Sequence, residues 1–337
     1  MRALSKGLPA VLAFLAVGSG TVRGQEPPPP TPPGMPAPTV VAPTIVDCNV
    51  CDSCCHKRPW YLQLDAIVLH RSVGTSQLIA ADAAGNPALR ADTGRFNWDV
   101  GARAMVGIPL SAVGTLQLLY FGAYDQRNPA TFAGAGTWVG SPGTAGDNFF
   151  SNYRSYFHNV EINYSRNLNQ RLALLAGFRY LSWQENLNNT VNTAAGTSIR
   201  DYFTNNNLYG GQLGAAWTAC LGQRLSATIT GKAGLYGNDS SMSARANIAN
   251  LGAAPTITNG SASQAQVAFI GDLGLVGTYR VSNHLALRGG YNLMWVEGIG
   301  LAPDQVNNSN FAANTFSDNT RGGVFLHGGL GGVELSW

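Results

Sequence analysis

Charged residues are scarce in this sequence. Lys, Arg, Asp and Glu make up 12% of the 337 residues, roughly half the usual share in soluble proteins. Long apolar runs are missing too: beyond the first residues, no run reaches the roughly 18 apolar residues of a membrane-spanning helix. Low charge without such a helix indicates a membrane β-barrel, the other structure that satisfies every backbone group in lipid. The net charge of +3 is small and its basic residues are dispersed, which excludes a nucleic-acid partner.

The N-terminal residues are typical of an exported protein. Residues 1–24 read as a signal peptide, with Arg2 and Lys6 before a short apolar core and a plausible cleavage site after Gly24. Residues 25–58 begin with a Pro-rich stretch, which favours polyproline II, and end in a Cys-rich stretch. We interpret residues 25–58 as a periplasmic spacer and residues 59–337 as the folded domain.

The end of the chain has the alternation of a lipid-facing strand. Val333, Leu335 and Trp337 share one parity, and Glu334 and Ser336 share the other. A strand with one face in lipid and one in a wet lumen reads apolar, polar, apolar, polar. We therefore interpret Val333, Leu335 and Trp337 as the C-terminal signal read by the barrel-assembly machinery, with outer-membrane lipid as the second partner.

Ten segments fit the same pattern, each about as long as a strand that crosses the hydrocarbon at a tilt. They are 60–70, 96–108, 115–124, 153–167, 171–184, 208–219, 225–237, 264–279, 284–297 and 324–337. Short turns alternate with long Gly- and Asn-rich segments at 72–95, 125–152, 185–206, 238–263 and 298–322. The prediction is an all-β fold: a transmembrane antiparallel β-barrel of about ten strands, with short periplasmic turns and long outer loops. Twelve strands would result if part of a long loop paired, whereas a soluble β-sandwich would carry more Lys and Glu on its outer faces.

Several of these segments resemble a known family, the putative beta-barrel porin-7 family of planctomycete-type bacteria. The resemblance covers residues 60–337 and is carried by WYLQLDAIVLHR, GFRYLSWQENL at 177–187, NNLYGGQLGA at 206–215, GKAGLYGN at 231–238, HLALRGGYNLMWVEGIGLAPDQ at 284–305 and LHGGLGGVELSW. It implies a bacterial outer-membrane barrel with a porin role, and none of its motifs is a catalytic signature.

Ionisable residues at mid-strand have the parity opposite to the lipid-facing one. They are Asp65, Asp99, Arg103, Glu161, Arg179, Lys232, Asp272, Arg288 and Glu334. Strand order predicts Glu161 beside Arg179, and Arg288 between Asp272 and Glu334. A lipid-facing Arg or Lys at the midplane costs about 2–4 kcal/mol, so this parity alone does not require transport.

Ten strands make a barrel near the closed end of the size range, because about eight strands are just filled by side chains and about sixteen leave a pore. We expect a mostly filled lumen with a ladder of ion pairs. The predicted function is porin-like: narrow, weakly selective passage of ions or small solutes. The alternative is a closed structural or surface-interaction barrel that acts through its long outer loops.

Five cysteines complete the candidate residues. Cys48, Cys51, Cys54 and Cys55 are clustered, and Cys220 lies in a predicted periplasmic turn. Their spacing could bind zinc, but disulfides are the commoner fate in an oxidising periplasm. We expect disulfides and no metal or other cofactor; because five is odd, one thiol is free or paired with an envelope partner.

Catalysis has weak support. A lipid-modifying barrel enzyme would need a nucleophile beside a His base. His158 and Ser155 are near each other in sequence but lie on opposite faces of one strand. The prediction is a barrel that is not an enzyme.

Overall fold

The computed structural model describes residues 60–140 and 143–337. Its strands are β1 (Tyr61–Arg71), β2 (Leu78–Asp82), β3 (Pro87–Arg90), β4 (Asp99–Pro109), β5 (Gly114–Trp138), β6 (Ala145–Asn167), β7 (Leu172–Thr193), β8 (Gly196–Cys220), β9 (Leu225–Asn250), β10 (Ala253–Arg280), β11 (Leu285–Ile299), β12 (Ser309–Asn310), β13 (Thr315–Phe316) and β14 (Gly322–Ser336). One 3₁₀ turn, Pro303–Gln305, precedes β12. Among the described residues no helix is long and apolar enough to cross a membrane.

Ten of these strands close into an antiparallel barrel. Around the ring the order is β1, β14, β11, β10, β9, β8, β7, β6, β5 and β4, and β4 pairs with β1 again. The hairpin of β2 and β3 extends the sheet from β5 without entering the ring, and β12 pairs only with β13. The ten predicted segments are confirmed as the ten strands of the ring. With β2 and β3, which come from the predicted long loop 72–95 and pair beside β5, the whole sheet has twelve strands, as the alternative stated.

Side chains alternate between lipid and lumen as the sequence pattern predicts. On β6, Val160, Ile162 and Tyr164 are exposed on the outside, whereas Glu161 and Asn163 are buried. Aromatic residues lie exposed at the strand ends of this apolar band: Trp60, Tyr164, Tyr180, Trp217, Tyr279, Trp295 and Trp337. Rings with one polar atom are most stable at such an interface.

The strands are much longer than a bilayer requires. A tilted strand crosses in about 9–11 residues, but β5 has 25 and β10 has 28. The segments 125–152, 185–206 and 238–263, which the sequence analysis assigned to loops, are mostly strand. Outside the membrane the outer face meets water, so it carries small polar residues and the apolar residues lie inside. On β9, Met242 and Ala244 are buried while Ser241 and Ser243 are exposed.

Phe96 is a second difference. The predicted strand 96–108 begins with Phe96, but β4 begins only at Asp99, and Phe96 is buried inside against Tyr153, with ring centroids 4.9 Å apart. The irregular backbone before Asp99 breaks the alternation on which the expectation rested.

The lumen above the charged residues is filled by apolar side chains. We call these the apolar layer: Phe157, Leu181, Trp183, Leu208, Ile270 and Val296. Phe157 and Trp183 stack with their centroids 5.1 Å apart and their planes at 5°. The expected signal peptide (1–24) and the expected spacer (25–58) both lie outside the described residues, so they stay predictions.

Shortening a side chain of the apolar layer should destabilise the barrel. Leu181 is fully buried, so Leu181→Ala should lower the free energy of unfolding by about 2–5 kcal/mol. The measurement is urea unfolding, followed by loss of the fast-migrating folded band on an unboiled gel. The matched control is Leu213→Ala on the lipid face, where Leu213 is 66% exposed; an equal loss there would contradict the inward packing.

Candidate functional site: the barrel lumen

Eight of the predicted ionisable residues line the lumen of the membrane-spanning part. We call them the charged layer: Asp65 on β1, Arg103 on β4, Glu161 on β6, Arg179 on β7, Lys232 on β9, Asp272 on β10, Arg288 on β11 and Glu334 on β14. Each occupies the buried parity of its strand because the opposite parity faces lipid. Four are acidic and four are basic, so the layer is electrically balanced.

Glu161 is the centre of one half of this layer. Its carboxylate accepts hydrogen bonds from Arg179 at 2.7 Å and from Lys232 Nζ at 2.7 and 2.9 Å. Arg179 also pairs with Asp272, and Lys232 lies 3.6 Å from the same carboxylate. Glu161 and Arg179 lie opposite each other on neighbouring strands, as predicted. The Glu161–Lys232 and Arg179–Asp272 pairs each join strands separated by two others, so these two pairs cross the lumen.

Asp65 is the centre of the other half. It accepts from Arg103 at 3.2 Å and from Arg288 at 3.1 Å. Arg288 also donates to Glu334 at 3.3 Å, and Gln63 donates to Glu334 at 2.7 Å. Each buried charge in this half therefore has a partner of opposite sign.

One predicted pairing is wrong: Arg288 does not lie between Asp272 and Glu334. The register places Asp272 opposite Met294 and Arg288 opposite Thr278, which is six residues further along β10. At about 3.4 Å per residue this separates the two side chains by about 20 Å. Asp272 instead lies directly opposite Lys232 in the ladder between β9 and β10.

Asp99 is separate from the charged layer. It lies at the first residue of β4, where its carboxylate accepts from the backbone amides of Tyr124 and Asp125 at 3.2 and 3.0 Å. These amides are at a bulge of β5, where the register to β6 shifts between Ala123 and Gln126. The contact stabilises the bulge.

A cavity of about 570 Å³ opens at the periplasmic end of the lumen. We call it the vestibule. Its mouth is lined by residues near the short turns, including Arg171 and Arg280, and its inner end reaches Leu69, Phe121 and Leu326 on the side of β1, β5 and β14. The vestibule thus passes Arg103 and Arg288 of the charged layer and extends beyond them.

A second ion pair crosses the lumen on the outer side of the vestibule. Arg71 and Glu185 are both fully buried and their side chains approach to 2.7 Å. Tyr153 donates to Glu185 at 2.6 Å, Trp183 Nε1 donates to it at 2.9 Å, and the Arg71 guanidinium lies 4.3 Å from the ring centre of Phe96. Each guanidinium nitrogen of Arg71 and each carboxylate oxygen of Glu185 therefore has a hydrogen-bond partner, as the burial of two charges requires.

The connection from β11 to β14 folds inward over this ion pair. We call residues 300–306 the closing segment; six of its seven residues are buried. Gly300 exchanges two hydrogen bonds with the Asn206 side chain, at 2.7 and 2.9 Å, and the Ala302 amide donates to Glu185 at 2.9 Å. Gln305 then donates to the carbonyls of Leu301 and Asn319 at 3.1 and 2.9 Å.

The closing segment spans the barrel. It follows β11, yet its anchors Asn206 and Glu185 are on β8 and β7, three and four strands further round the ring. Sequence reasoning missed this segment and its anchors because residues 185–206 and 298–322 were assigned to outer loops. The available signal was the apolar run Leu301-Ala302-Pro303, which is unusual in an exposed loop.

Of the five cysteines only Cys220, the last residue of β8, is within the described residues, and it is disulfide-bonded. Cys48, Cys51, Cys54 and Cys55 lie outside them, so the expectations on that cluster stay predictions. At the C-terminus, Leu335 and Trp337 are exposed on the outer face, Val333 is half-buried, and the Trp337 amide donates to the carbonyl of Trp60 at 3.2 Å.

Removing the charge at the centre of the layer should be costly. Glu161→Gln leaves Arg179 and Lys232 with Asp272 as their one acidic partner, and an uncompensated buried charge costs about 3–5 kcal/mol. The free energy of unfolding in urea should fall by that order. Glu334→Gln is the control: the Glu334 side chain is 25% exposed, so its loss should cost about 1 kcal/mol or less. Equal losses would contradict the assignment of Glu161 as the centre.

Several solved structures are similar to this chain at low sequence identity. Among solved structures the chain is similar to the outer membrane protease OmpT from Escherichia coli, with 11% identity, a TM-score of 0.47, and coverage of 83% of this chain and 97% of that one. It is also similar to the Pseudomonas putida toluene transporter TodX, with 10% identity, a TM-score of 0.35, and coverage of 82% and 89%. These values are too low to bear on function. No curated protein matches the chain.

The family comparison is decisive for identity. The model of the family described as putative beta barrel porin-7 matches residues 86–322. This range takes in nine of the ten ring strands in whole or in part, six of the eight residues of the charged layer, and the closing segment. The chain is thus a bacterial outer-membrane β-barrel, and it belongs to the putative beta barrel porin-7 family.

Proposed function

We propose that this barrel gives ions or small solutes a narrow, weakly selective passage across the outer membrane, and that the closing segment shuts this passage in the described conformation. The protein acts by passage rather than as an enzyme. The observation that carries the proposal is the vestibule, which continues past Arg103 and Arg288 as far as Leu69, two residues before Arg71 on β1. A barrel built only for support has no need of a cavity that deep.

The closing segment, which blocks the outer side of the lumen, is attached weakly enough to move. Residues 300–306 are attached to the far wall by hydrogen bonds to Asn206 and Glu185 and have no strand ladder there. Hydrogen bonds between neutral groups stabilise by about 0.5–1.5 kcal/mol each, and a hydrogen bond to a charged group such as the Glu185 carboxylate stabilises by about 1.5–3 kcal/mol. Withdrawal of the segment toward the outside would therefore cost far less than unfolding a strand.

A specific observation favours the alternative, a closed structural or surface-interaction barrel. The apolar layer and the ion pairs between non-neighbouring strands fill much of the cross-section. In such a barrel the parts of the strands outside the membrane and the loops between them would carry the function. The two proposals differ in whether current flows.

Loosening the closing segment should increase the current through single barrels in planar bilayers. Asn206→Ala removes both hydrogen bonds to Gly300, so the variant should spend more time open than the unmodified protein. The control is Asn207→Ala, since Asn207 points outward and accepts from Tyr180 at 2.7 Å. Folded barrels that pass no current in all three proteins would overturn the passage and favour the alternative. If Asn206→Ala fails to fold, Asn206→Ser tests the same attachment, because it shortens the side chain but keeps a polar atom near Asn238.

Acidification should reduce the current. Burial raises the pKa of Asp304 and of Asp318, both in the inward-folded connection. If withdrawal exposes these carboxyls to water, their pKa returns to the ordinary value of about 4. The closed form therefore binds protons more readily than the open form. The closed form then gains stability as the pH falls through the raised pKa values, and gains no more below about 4.

The check is open probability against pH for the unmodified protein and for Asp304→Asn with Asp318→Asn. The double variant has no carboxyl to titrate at either position, so its pH dependence should be flatter. Open probability that rises on acidification in the unmodified protein would contradict the assignment.

A further inference from the structure

The mouth of the vestibule carries an arc of hydrogen-bond donors that the passage itself does not require. The arc runs over four neighbouring strands from Arg171, just before β7, through Thr218 on β8 and Thr228 on β9, to Arg280 at the end of β10. All four side chains line the cavity. The Thr218 amide donates to the Arg171 carbonyl at 2.7 Å, and the hydroxyls of Thr218 and Thr228 are 3.0 Å apart. The Arg280 amide donates to the carbonyl of Arg224 at 2.8 Å, which attaches this end of the arc to the turn before β9.

Strand β9 continues the arc inward. Ser226, Thr228, Thr230 and Lys232 occupy alternate positions and all line the cavity. Alternate residues of a strand are about 6.8 Å apart, so hydroxyl groups follow the wall from the mouth to the ammonium of Lys232. Hydroxyls can donate to an anion, and each can rotate to do so.

The charge at the mouth of the vestibule is positive. Among residues 60–140 and 143–337, Arg171 and Arg280 form no ion pair. The four short turns, at 110–113, 168–171, 221–224 and 281–284, contain no Asp or Glu. Asp272 and Glu334, which also line the cavity, belong to the charged layer further in, and that layer is balanced. Two unpaired guanidinium groups and a row of hydroxyls thus face the cavity.

We propose that the mouth of the vestibule binds small oxyanions, that is, solutes with a phosphate, sulfate or carboxylate group. The planar guanidinium of arginine donates two parallel hydrogen bonds to such a group. The hydroxyls of Thr218, Thr228 and Ser226 supply further donors between the two arginines. This inference deepens the proposed function by naming its solute class, and its role in passage rests on that function.

Binding of inorganic phosphate to the full chain in maltoside detergent micelles tests the site, measured by calorimetry at low ionic strength. The test variant is Arg171→Gln with Arg280→Gln, which keeps donors in place but removes both charges. The matched control is Arg166→Gln with Arg224→Gln. Both control residues are exposed arginines near the same end of the barrel, and neither lines the vestibule.

The expected result is saturable phosphate binding to the unmodified protein. The affinity should fall about tenfold or more in the test variant, because charge-assisted hydrogen bonds are among the strong ones. In the control variant the affinity should change less than twofold. Two results would overturn the site. One is no saturable binding to the unmodified protein. The other is an equal loss in both variants, which would assign the phosphate to the outer rim, where the control arginines would meet lipid headgroups.

Reversal potentials in a potassium chloride gradient distinguish the oxyanion site from the proposed passage of solutes. Anion preference should decrease in the test variant and persist in the control. Phosphate binding that depends on Arg171 and Arg280 in a barrel without current would leave the oxyanion site standing and overturn passage. Current with no phosphate binding would keep passage and overturn the site.

Discussion

The structure depends on one constraint: a strand that crosses a bilayer has one face in hydrocarbon, and no charge can be placed there cheaply. The Asp, Glu, Lys and Arg side chains of the membrane-spanning part must therefore enter the lumen. In a ring of ten strands that lumen is narrow, so the charges meet each other rather than water. Glu161 with Arg179 and Lys232, and Asp65 with Arg103 and Arg288, are the result. Balance within the layer is what allows eight charges to share so small a cross-section.

The same crowding divides the lumen into two unlike ends. Toward the periplasm the side chains shorten to Ser and Thr on β8 and β9, and the vestibule opens. Toward the outside they lengthen to Phe157, Leu181 and Trp183, and the lumen closes. Beyond them the Arg71–Glu185 ion pair provides the buried acceptor that holds the Ala302 amide. The closing segment is therefore attached by polar groups that are themselves part of the interior, and its position is coupled to the packing beneath it.

The sequence predicted the membrane part well and the outer part poorly, for one physical reason. In lipid, alternation contrasts apolar with charged residues, and Val160, Glu161 and Ile162 show it plainly. Outside the membrane the exposed face is small and polar and the buried face holds Met242 and Ala244, so the contrast is weak and the segment resembled a loop. The ten strands and their inward charges could be assigned from parity.

The pairing of those charges across the lumen could not be read in the same way. It depends on the register between strands, and the register separates Arg288 from Asp272 by six residues. The closing segment was missed because its partners are distant in sequence: Glu185 lies 117 residues from Ala302. Nothing local to residues 300–306 identifies the strand that anchors them.

The central claim is that residues 300–306 close the lumen from inside. Amide hydrogen exchange of the full chain in nanodiscs tests it most directly, with peptides covering this segment followed over time. The account predicts that the Gly300 and Ala302 amides exchange far more slowly than the exposed turn between β9 and β10, and faster than the barrel strands, because withdrawal of the segment costs less than opening a strand. Exchange of residues 300–306 as fast as that turn would contradict the account, since it would place the segment outside the barrel as an ordinary loop.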